Sequence, residues 1–371
     1  MQAAFVMEQT LGHITHSQNL RAALSRQTAI APTWIEIPFE VTGLERYIPA
    51  YRDNWSIRAS LRARRRLSRE LGLRRHDALF FHTQVTSLFS PRVMRRIPSV
   101  VSLDATPLNY DTVGSAYGHQ AASGTWLDAR KHRLNREVFE TARALVTWSE
   151  WARASLVADY GIPRERVTVI APGAAAPYFS IGQERSAAQD PARPVRLLFV
   201  GGDFGRKGGP LLLESFAEAR TQRACELHVV TQAPVSAPAG VVVHRGVQPN
   251  SAELLRLYRE ADAFILPSFG ECLAVVLMEA TAAGLPVIAS DVGALTEAAV
   301  RDRTAIVVPP RDGRSLRAAI ERMVDDDALR SRYGGAGHAL ARAKFDAERN
   351  GQLLIQLIAS VARPAEGRQA A

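Results

Sequence analysis

The sequence predicts an α/β protein built of two doubly wound domains, and three observations carry that reading. Short apolar runs alternate with amphipathic helical patterns along all 371 residues, as parallel strands joined by helical crossovers do. That length exceeds what one ordinary core accommodates. Between the two sets of runs lies PGAAAPYFSIGQERSAAQDPARP (172–194), rich in Pro, Ala and polar residues and without strong periodicity.

In the first half the strand runs are AAFVM (3–7), TWIEIPF (33–39), ALFFHT (78–83), SVVSL (99–103), ALVTWS (144–149) and VTVIA (167–171). The second half supplies VRLLFVGG (195–202), ELHVVT (226–231), VVVHRG (241–246), AFILPS (263–268), LPVIAS (285–290) and AIVVPP (305–310). Residues 1–172 are read as an N-terminal domain, 173–194 as the connection and 195–345 as a C-terminal domain. Residues 346–371 read as a helix returning towards the first domain, with a fraying polar end at PAEGRQAA.

Composition narrows the class. An apolar fraction of 47% with 22% charged residues is that of a soluble globular chain. No run approaches the roughly 18 apolar residues of a membrane span. The start, MQAAFVMEQTLGH, reads as a first strand and not as a signal peptide. Cys225 and Cys272 form neither a disulfide framework nor a metal-ligand pattern and suit a reducing cytosol. The net charge of +9 is almost all arginine; lysine occurs only at 131, 207 and 344. The densest cluster, SIRASLRARRRLSRELGLRR (56–75), places Ile57, Leu61, Leu67 and Leu71 on one helical face. Arg58, Arg62, Arg65, Arg66 and Arg69 lie mostly opposite, although Arg64 intrudes on the apolar stripe. Such a helix is either a solvated arginine face packing its leucines inward or a surface for anionic membrane. No nucleic-acid motif accompanies the charge.

Ligands of open parallel sheets bind beyond the carboxyl ends of the strands. After VRLLFVGG comes DFGRKGGPLLLESF, where glycines permit close backbone approach and Pro210 suits the first turn of a helix. A helix start behind such a loop is an anion site, and Arg206 and Lys207 add two cations. It is neither a Walker loop nor the dinucleotide fingerprint. After AFILPS, the stretch FGECLAVVLMEATAAG sets Glu271 and Glu279 at the two ends of an apolar helical run closed by Gly284. If both are helical they stand about 12 Å and 80° apart. Helix amides near residues 272–275 lie between them. Each glutamate has an ordinary alternative: Glu271 as a charge favoured by the helix dipole, Glu279 as a solvated or salt-bridged helix residue. Carboxylates accept hydrogen bonds from hydroxyls and repel phosphates, so this pair suits a ligand with hydroxyls at both ends and a diphosphate between them. That describes a nucleotide sugar.

With those residues in view, the sequence resembles glycosyltransferase family 4, the retaining transferases of GT-B fold with two facing Rossmann-like domains. PSFGECLAVVLMEATAAGLPVIAS carries the family's Glu-x7-Glu spacing, and FVGGDFGRKGG resembles its phosphate loop. VVVHRGVQPNSAELLRLYREADAFILPS resembles the stretch around base and ribose. VTVIAPGAAAPYF, DRTAIVVPPRD and SEWARASLVADYGI extend the likeness over most of residues 145–360. The resemblance implies that Lys207, helped by Arg206, binds the diphosphate and that Glu279 holds the ribose hydroxyls. It implies that Glu271 holds sugar hydroxyls near the reacting carbon, and that amides of Cys272, Leu273, Ala274 and Val275 face sugar or phosphate. Gly246 and Val247 stand where the base is usually sandwiched. One departure is Gly201-Gly202, where many members write Gly-Arg.

The first half departs further. The usual first-strand loop carries paired glycines; here EQTLGHITHSQNLR offers Gly12, with His13, His16 and Asn19 as further cleft residues. His13 and His16 lack the companions of a metal site. FFHTQ sets His82 and Gln84 past a strand end, and VVSLDATPLNYD sets Asp104 past the next, where family members often place a sugar-contacting histidine. Either Asp104 takes that role, or His82, His13 or His119 does, or Asp104 is a turn residue before Pro107. The expectation is a metal-independent retaining transfer from a nucleotide-diphosphate sugar to a hydroxyl of a glycan or lipid-linked acceptor, by a cytoplasmic and peripherally membrane-bound enzyme. No cofactor is expected. The rivals are a non-catalytic nucleotide-sugar-binding scaffold and a GT-B sugar-nucleotide epimerase or phosphorylase.

Overall fold

A computed structural model describes residues 1–10, 12–40, 47, 54–119, 125–185 and 193–362. The tail PAEGRQAA and residues 186–192 of the expected connection lie outside the described residues. The chain divides into two compact units, each carrying one six-stranded, all-parallel sheet.

The first unit comprises Met1–Asn109, Ala122–Ala171 and Glu348–Ala371. Its strands are β1 (Gln2–Gln9), β2 (Ala31–Pro38), β3 (Ala78–His82), β4 (Ser99–Leu103), β5 (Ala144–Thr147) and β6 (Val167–Val169), in the order β2-β1-β3-β4-β5-β6. Its longer helices are α1 (Gly12–Ser25), α2 (Trp55–Leu73), α3 (Trp126–Thr141) and α4 (Glu150–Ala158). The period of two explains why the strands read as unbroken apolar runs. Ala4, Val6, Leu79 and Phe81 enter the core on one face, while Phe5, Met7 and Phe80 enter the core on the other.

The second unit comprises Tyr110–Ala121 and Pro172–Ala347. Its strands are β7 (Val195–Val200), β8 (Cys225–Val230), β9 (Val241–His244), β10 (Ala263–Leu266), β11 (Val287–Ser290) and β12 (Ala305–Val308), in the order β12-β11-β10-β7-β8-β9. Its longer helices are α5 (Ala176–Glu184), α6 (Gly209–Glu218), α7 (Ala252–Glu260), α8 (Val275–Ala282), α9 (Gly313–Asp325) and α10 (Asp327–Lys344). The last helix, α11 (Ala347–Val361), sends Leu354, Ile355 and Ile358 into the same core as Phe5 and Met7.

Three local expectations change. The stretch expected to be an aperiodic connection contains α5, which opens at Pro177 and buries Tyr178 and Phe179. Residues 110–121, sequence neighbours of the first unit, group with the second. In α2 the buried face is Ala59, Ala63 and Leu67, with Leu61 40% exposed, so the apolar stripe expected through Ile57 and Leu61 is rotated. Beside that face runs a row of arginines one turn apart. Arg58 donates to Phe39 O, Arg62 to Pro38 O and Glu40 O, and Arg66 to Glu36 O. These carbonyls belong to the end of β2, the edge strand, whose outer backbone groups have no neighbouring strand, and to the two residues after it. Arg64, Arg65 and Arg69 are exposed. Among the described residues no helix is long and apolar enough to cross a membrane.

Candidate functional site

In the second unit the expected residues follow strand ends, as parallel-sheet topology requires. After β7 the chain turns through Gly201 and Gly202 and reaches Gly208 with φ +75°, ahead of α6. A Cβ on Gly208 would stand 2.1 Å from Pro267 O, so only glycine lets this loop lie against the exit of β10. At Gly201 a Cβ would meet Lys207 Cδ at 2.5 Å, whereas one at Gly202 would meet nothing within 4 Å. Gly201 and Gly208, more than Gly202, shape the loop.

The loop brings Arg206 and Lys207 onto Glu271, which follows β10. Lys207 Nζ lies 2.7 Å and Arg206 Nη1 2.8 Å from the same Glu271 oxygen, Oε1. Ser268 Oγ donates to that oxygen at 3.4 Å. Arg206 also donates to Gly270 O (2.7 Å), Asp203 Oδ2 (3.0 Å) and the Tyr117 hydroxyl (3.2 Å), with its guanidinium over the Tyr117 ring. Glu271 is buried, and burial alone would raise its pKa. The charges of Lys207 and Arg206 outweigh that and hold it below the ordinary carboxylate value. Gly293, at φ +55°, closes the other side: a Cβ there would stand 1.9 Å from Glu271 O.

Glu279 lies within α8 and is 3% exposed. The Tyr258 hydroxyl of α7 donates to its Oε2 at 3.0 Å, and the Tyr178 ring of α5 packs edge-on against Tyr258. Burial pushes the Glu279 carboxyl up to about 7, offset in part by the Tyr258 hydrogen bond and the charge of Lys207. Arg185 holds α7 and α8 in register by donating to Tyr258 O, Ala261 O and Ala283 O at their carboxyl ends, where helix dipoles favour a cation. One expectation is corrected: α8 begins at Val275, so Glu271 lies in the preceding loop and the fully helical spacing does not apply. Cys272, Leu273 and Ala274 form the buried approach to a helix whose first amides lack intrahelical acceptors. Gly246, at φ +75°, and Val247 follow β9, the edge strand two places from β7.

The first unit has its own cluster at the carboxyl edge of its sheet. Gly12 and His13 open α1, His82 ends β3, and Asp104 follows β4. His13 Nε2 lies 3.5 Å from Asp104 Oδ2. The ring centroids of His13 and His16 each lie 4.8 Å from His82, and Trp148, after β5, lies 5.3 Å from all three. His82 is fully buried, whereas the His13 and Asp104 side chains are 14% and 20% exposed. Asn19 and Gln84 lie on neighbouring helical segments, and His119, in the second unit, pairs with Asp111 at 2.6 Å. Among the described residues no three His, Cys, Asp or Glu side chains are grouped as metal ligands. Tyr117, Tyr178, Tyr258 and Trp148 are missed by sequence reasoning. Tyr258 lies 21 positions from Glu279 and Tyr117 lies 154 from Glu271, and Trp148 meets histidines 66 to 135 positions away, so none carries a local signal of its role.

Two family models match the chain in succession: Glycosyltransferase Family 4 over residues 12–175 and Glycosyl transferases group 1 over residues 194–326. A D-inositol 3-phosphate glycosyltransferase of Corynebacterium diphtheriae is 29% identical over 240 residues, 59% of this chain and 56% of the relative. The chain thus matches little more than half the length of such relatives. Among solved structures, sucrose-phosphate synthase from Thermosynechococcus elongatus superposes with TM-score 0.75 at 18% identity, covering 96% of this chain and 98% of that one. Anabaena HepE in complex with UDP and glucose superposes with TM-score 0.66 at 14% identity, over 97% and 100%. Taken with the paired six-stranded parallel sheets, the two consecutive model matches make the chain a member of glycosyltransferase family 4 with the GT-B fold.

Proposed function

We propose that the protein is a retaining, metal-independent glycosyltransferase that moves a sugar from a nucleoside-diphosphate sugar to a hydroxyl of a glycan, lipid-linked or polyol acceptor. The observation that carries this reading is the convergence of Lys207 and Arg206 on Glu271, beside the start of α8, with buried Glu279 inside that helix. Two cations and free helix amides suit a diphosphate, and the two carboxylates suit hydroxyls on either side of it.

In this reading Glu279 accepts from the ribose and Glu271 from the transferred sugar, while the backbone at Gly246 and Val247 lies along the base. As the bond between the anomeric carbon and the diphosphate oxygen breaks, Lys207 and Arg206 neutralise the charge that develops on the leaving group. The acceptor oxygen bonds to the same face of that carbon, and its proton passes to the departing phosphate oxygen. No enzyme carboxylate is consumed, and configuration is retained. In the first unit, Gly12, His13 and Asp104, with buried His82, stand at the carboxyl edge where parallel sheets bind ligands.

Thermal unfolding with UDP, GDP, ADP, dTDP and CMP, on wild type and Glu279→Ala, tests the donor assignment. One diphosphate stabilises the wild type and loses that effect in the variant. Equal shifts in both proteins sink the role of Glu279. For turnover, Glu271→Gln lowers kcat by at least about 100-fold while leaving diphosphate affinity within a few-fold, the pattern of a group that acts on the reacting sugar.

We infer a cytoplasmic protein held peripherally at anionic membrane by the exposed Arg64, Arg65 and Arg69, next to Leu61 and Leu73. Sedimentation with phosphatidylserine vesicles falls steeply between low and physiological salt if this holds. Binding indifferent to salt and lipid charge removes it.

A further inference from the structure

At the amino edge of the second sheet, opposite the carboxyl edge that carries Lys207, Glu271 and Gly246, lies a cavity of about 410 Å³. Small-molecule sites span roughly 300–1,000 Å³. Among its lining residues are four arginines and two aspartates. Arg185 stands just after α5, Arg193 and Arg223 just before β7 and β8, Asp262 just before β10, and Asp327 and Arg330 in the first turn of α10. The six residues of β7, at about 3.3 Å each, set the two edges on the order of 20 Å apart. Sugar transfer at the carboxyl edge does not account for a cationic cavity at the other end.

The contacts inside the cavity leave positive charge over. Arg193 makes a two-pronged pair with Asp262, Nη1 to Oδ2 and Nη2 to Oδ1, each at 2.8 Å. Asp327 is shared by Arg223 and Arg330, so one carboxylate serves two cations. Asp326, one residue earlier, caps α10 through Leu329 N. Arg185 donates to backbone carbonyls that include those of Tyr258, Ala261 and Ala283, and Arg330 donates to Met323 O and Val324 O. These carbonyls end α7, α8 and α9, whose dipoles offset part of the charge. Arg193 and Arg223 come from loops and cap no helix. Burial lowers the pKa of Arg185 to about 10; the charge of Asp262 opposes that fall and the charge of Arg193 adds to it. Arg330 is lowered by burial too, with Asp262 opposing and Arg223 and Arg193 adding.

Four guanidinium groups against two carboxylates leave an excess of two positive charges among the lining residues. A phosphate monoester carries about −1.5 to −2 at neutral pH, and guanidinium forks fit its paired oxygens. The arginines are within reach of solvent: the side chains of Arg193, Arg223 and Arg330 are 24%, 28% and 12% exposed. Two glycines of α10 also line the cavity. A Cβ on Gly334 would stand 2.4 Å from Gly284 O, whereas one on Gly335 would meet nothing within 4 Å. Close packing explains Gly334, and Gly335 leaves the rim open. We propose that this cavity is a second ligand site, which binds a small phosphate-bearing anion, inorganic phosphate or a sugar phosphate, through Arg193, Arg223 and Arg330. The proposal does not depend on the donor reading, because the two sets of residues stand at opposite edges of one sheet.

Calorimetric titration of the full chain with inorganic phosphate and with glucose 6-phosphate, at constant ionic strength, tests the site. At least one probe binds with Kd below about 1 mM, and excess UDP leaves that affinity unchanged. Tighter binding of glucose 6-phosphate assigns the rest of the cavity to a sugar, and equal binding assigns the site to phosphate alone. Arg330→Gln weakens binding about tenfold or more. Because Arg330 also holds the end of α9, Gly335 supplies the cleaner pair of variants. Gly335→Glu sets a carboxylate at the rim and weakens binding about tenfold, while Gly335→Gln, of the same size and uncharged, stays within about threefold. Both residues are better helix formers than glycine, so both variants fold. Glu279→Ala binds the probe as the wild type does, and a failure of UDP to bind sinks the donor reading without touching this one. No saturation by about 10 mM of either probe, displacement of the probe by UDP, or equal affinity of Gly335→Glu and Gly335→Gln overturns the assignment.

Discussion

Glu279 places a carboxyl among Leu277, Met278 and Ala280 on a helix in which every residue but Val276 is buried. With one neutral donor from Tyr258 and no direct cation, its ionised form is disfavoured, and the carboxyl rises from 4.5 to about 7. A folded pKa above the unfolded value means that the neutral group stabilises the fold. That contribution is fully present below about pH 4.5 and is lost as pH rises through 7, on the order of 3 kcal/mol in all. Glu279→Gln is neutral throughout, so its stability relative to the wild type improves by about that amount between pH 4.5 and 8. Urea denaturation at the two pH values measures it, and a gap that does not change with pH refutes the assignment. The apolar neighbours made burial of Glu279 legible in the sequence. Its value as a titrating group was not, because Tyr258 lies on another helix.

At the scale of elements, conformation and clash decide what composition leaves open. Gly202 and Gly208 look alike as letters in a glycine-rich loop. Gly208 has φ +75° and no room for a Cβ against Pro267 O, whereas Gly202 has nothing within 4 Å. Gly208→Ala therefore costs about 2–4 kcal/mol and weakens nucleoside diphosphate binding tenfold or more by displacing Lys207, while Gly202→Ala stays within about 0.5 kcal/mol. Chemical denaturation and calorimetric binding of the pair check this, and equal behaviour of the two variants counts against the loop's role. Helix α2 teaches the same lesson from side chains. Periodicity located the helix, but its arginines at 58, 62 and 66 meet carbonyls at and just after the end of β2, and its buried face is Ala59, Ala63 and Leu67. A solvated basic face and a row of guanidinium donors have the same hydrophobic pattern, and only the neighbouring strand tells them apart.

At the scale of the molecule, the chain's final helix stabilises the unit formed by its beginning. Leu354, Ile355 and Ile358 join Phe5, Met7 and Phe80 in one core, and each fully buried aliphatic side chain is worth about 1.5–3 kcal/mol. Deleting residues 348–371 lowers the stability of the first unit by several kcal/mol and exposes an apolar sheet face. The second unit, which holds Lys207, Glu271 and Glu279, retains nucleoside diphosphate binding. Calorimetry with and without UDP separates the two effects, and unchanged unfolding of the truncated chain disproves the coupling. The strand runs, the parallel class, the family likeness and the strand-end positions of Arg206, Lys207, Glu271, Asp104 and His82 are legible along the chain. Those follow from local periodicity and from the rule that parallel sheets bind at their carboxyl edge. Tertiary structure alone decided that Glu271 takes both cations, that Tyr258 meets Glu279, and that His13 pairs with Asp104 over a buried His82. Each joins residues 21 to 91 positions apart, and no pattern of neighbours along a chain encodes a contact that only packing brings within 4 Å.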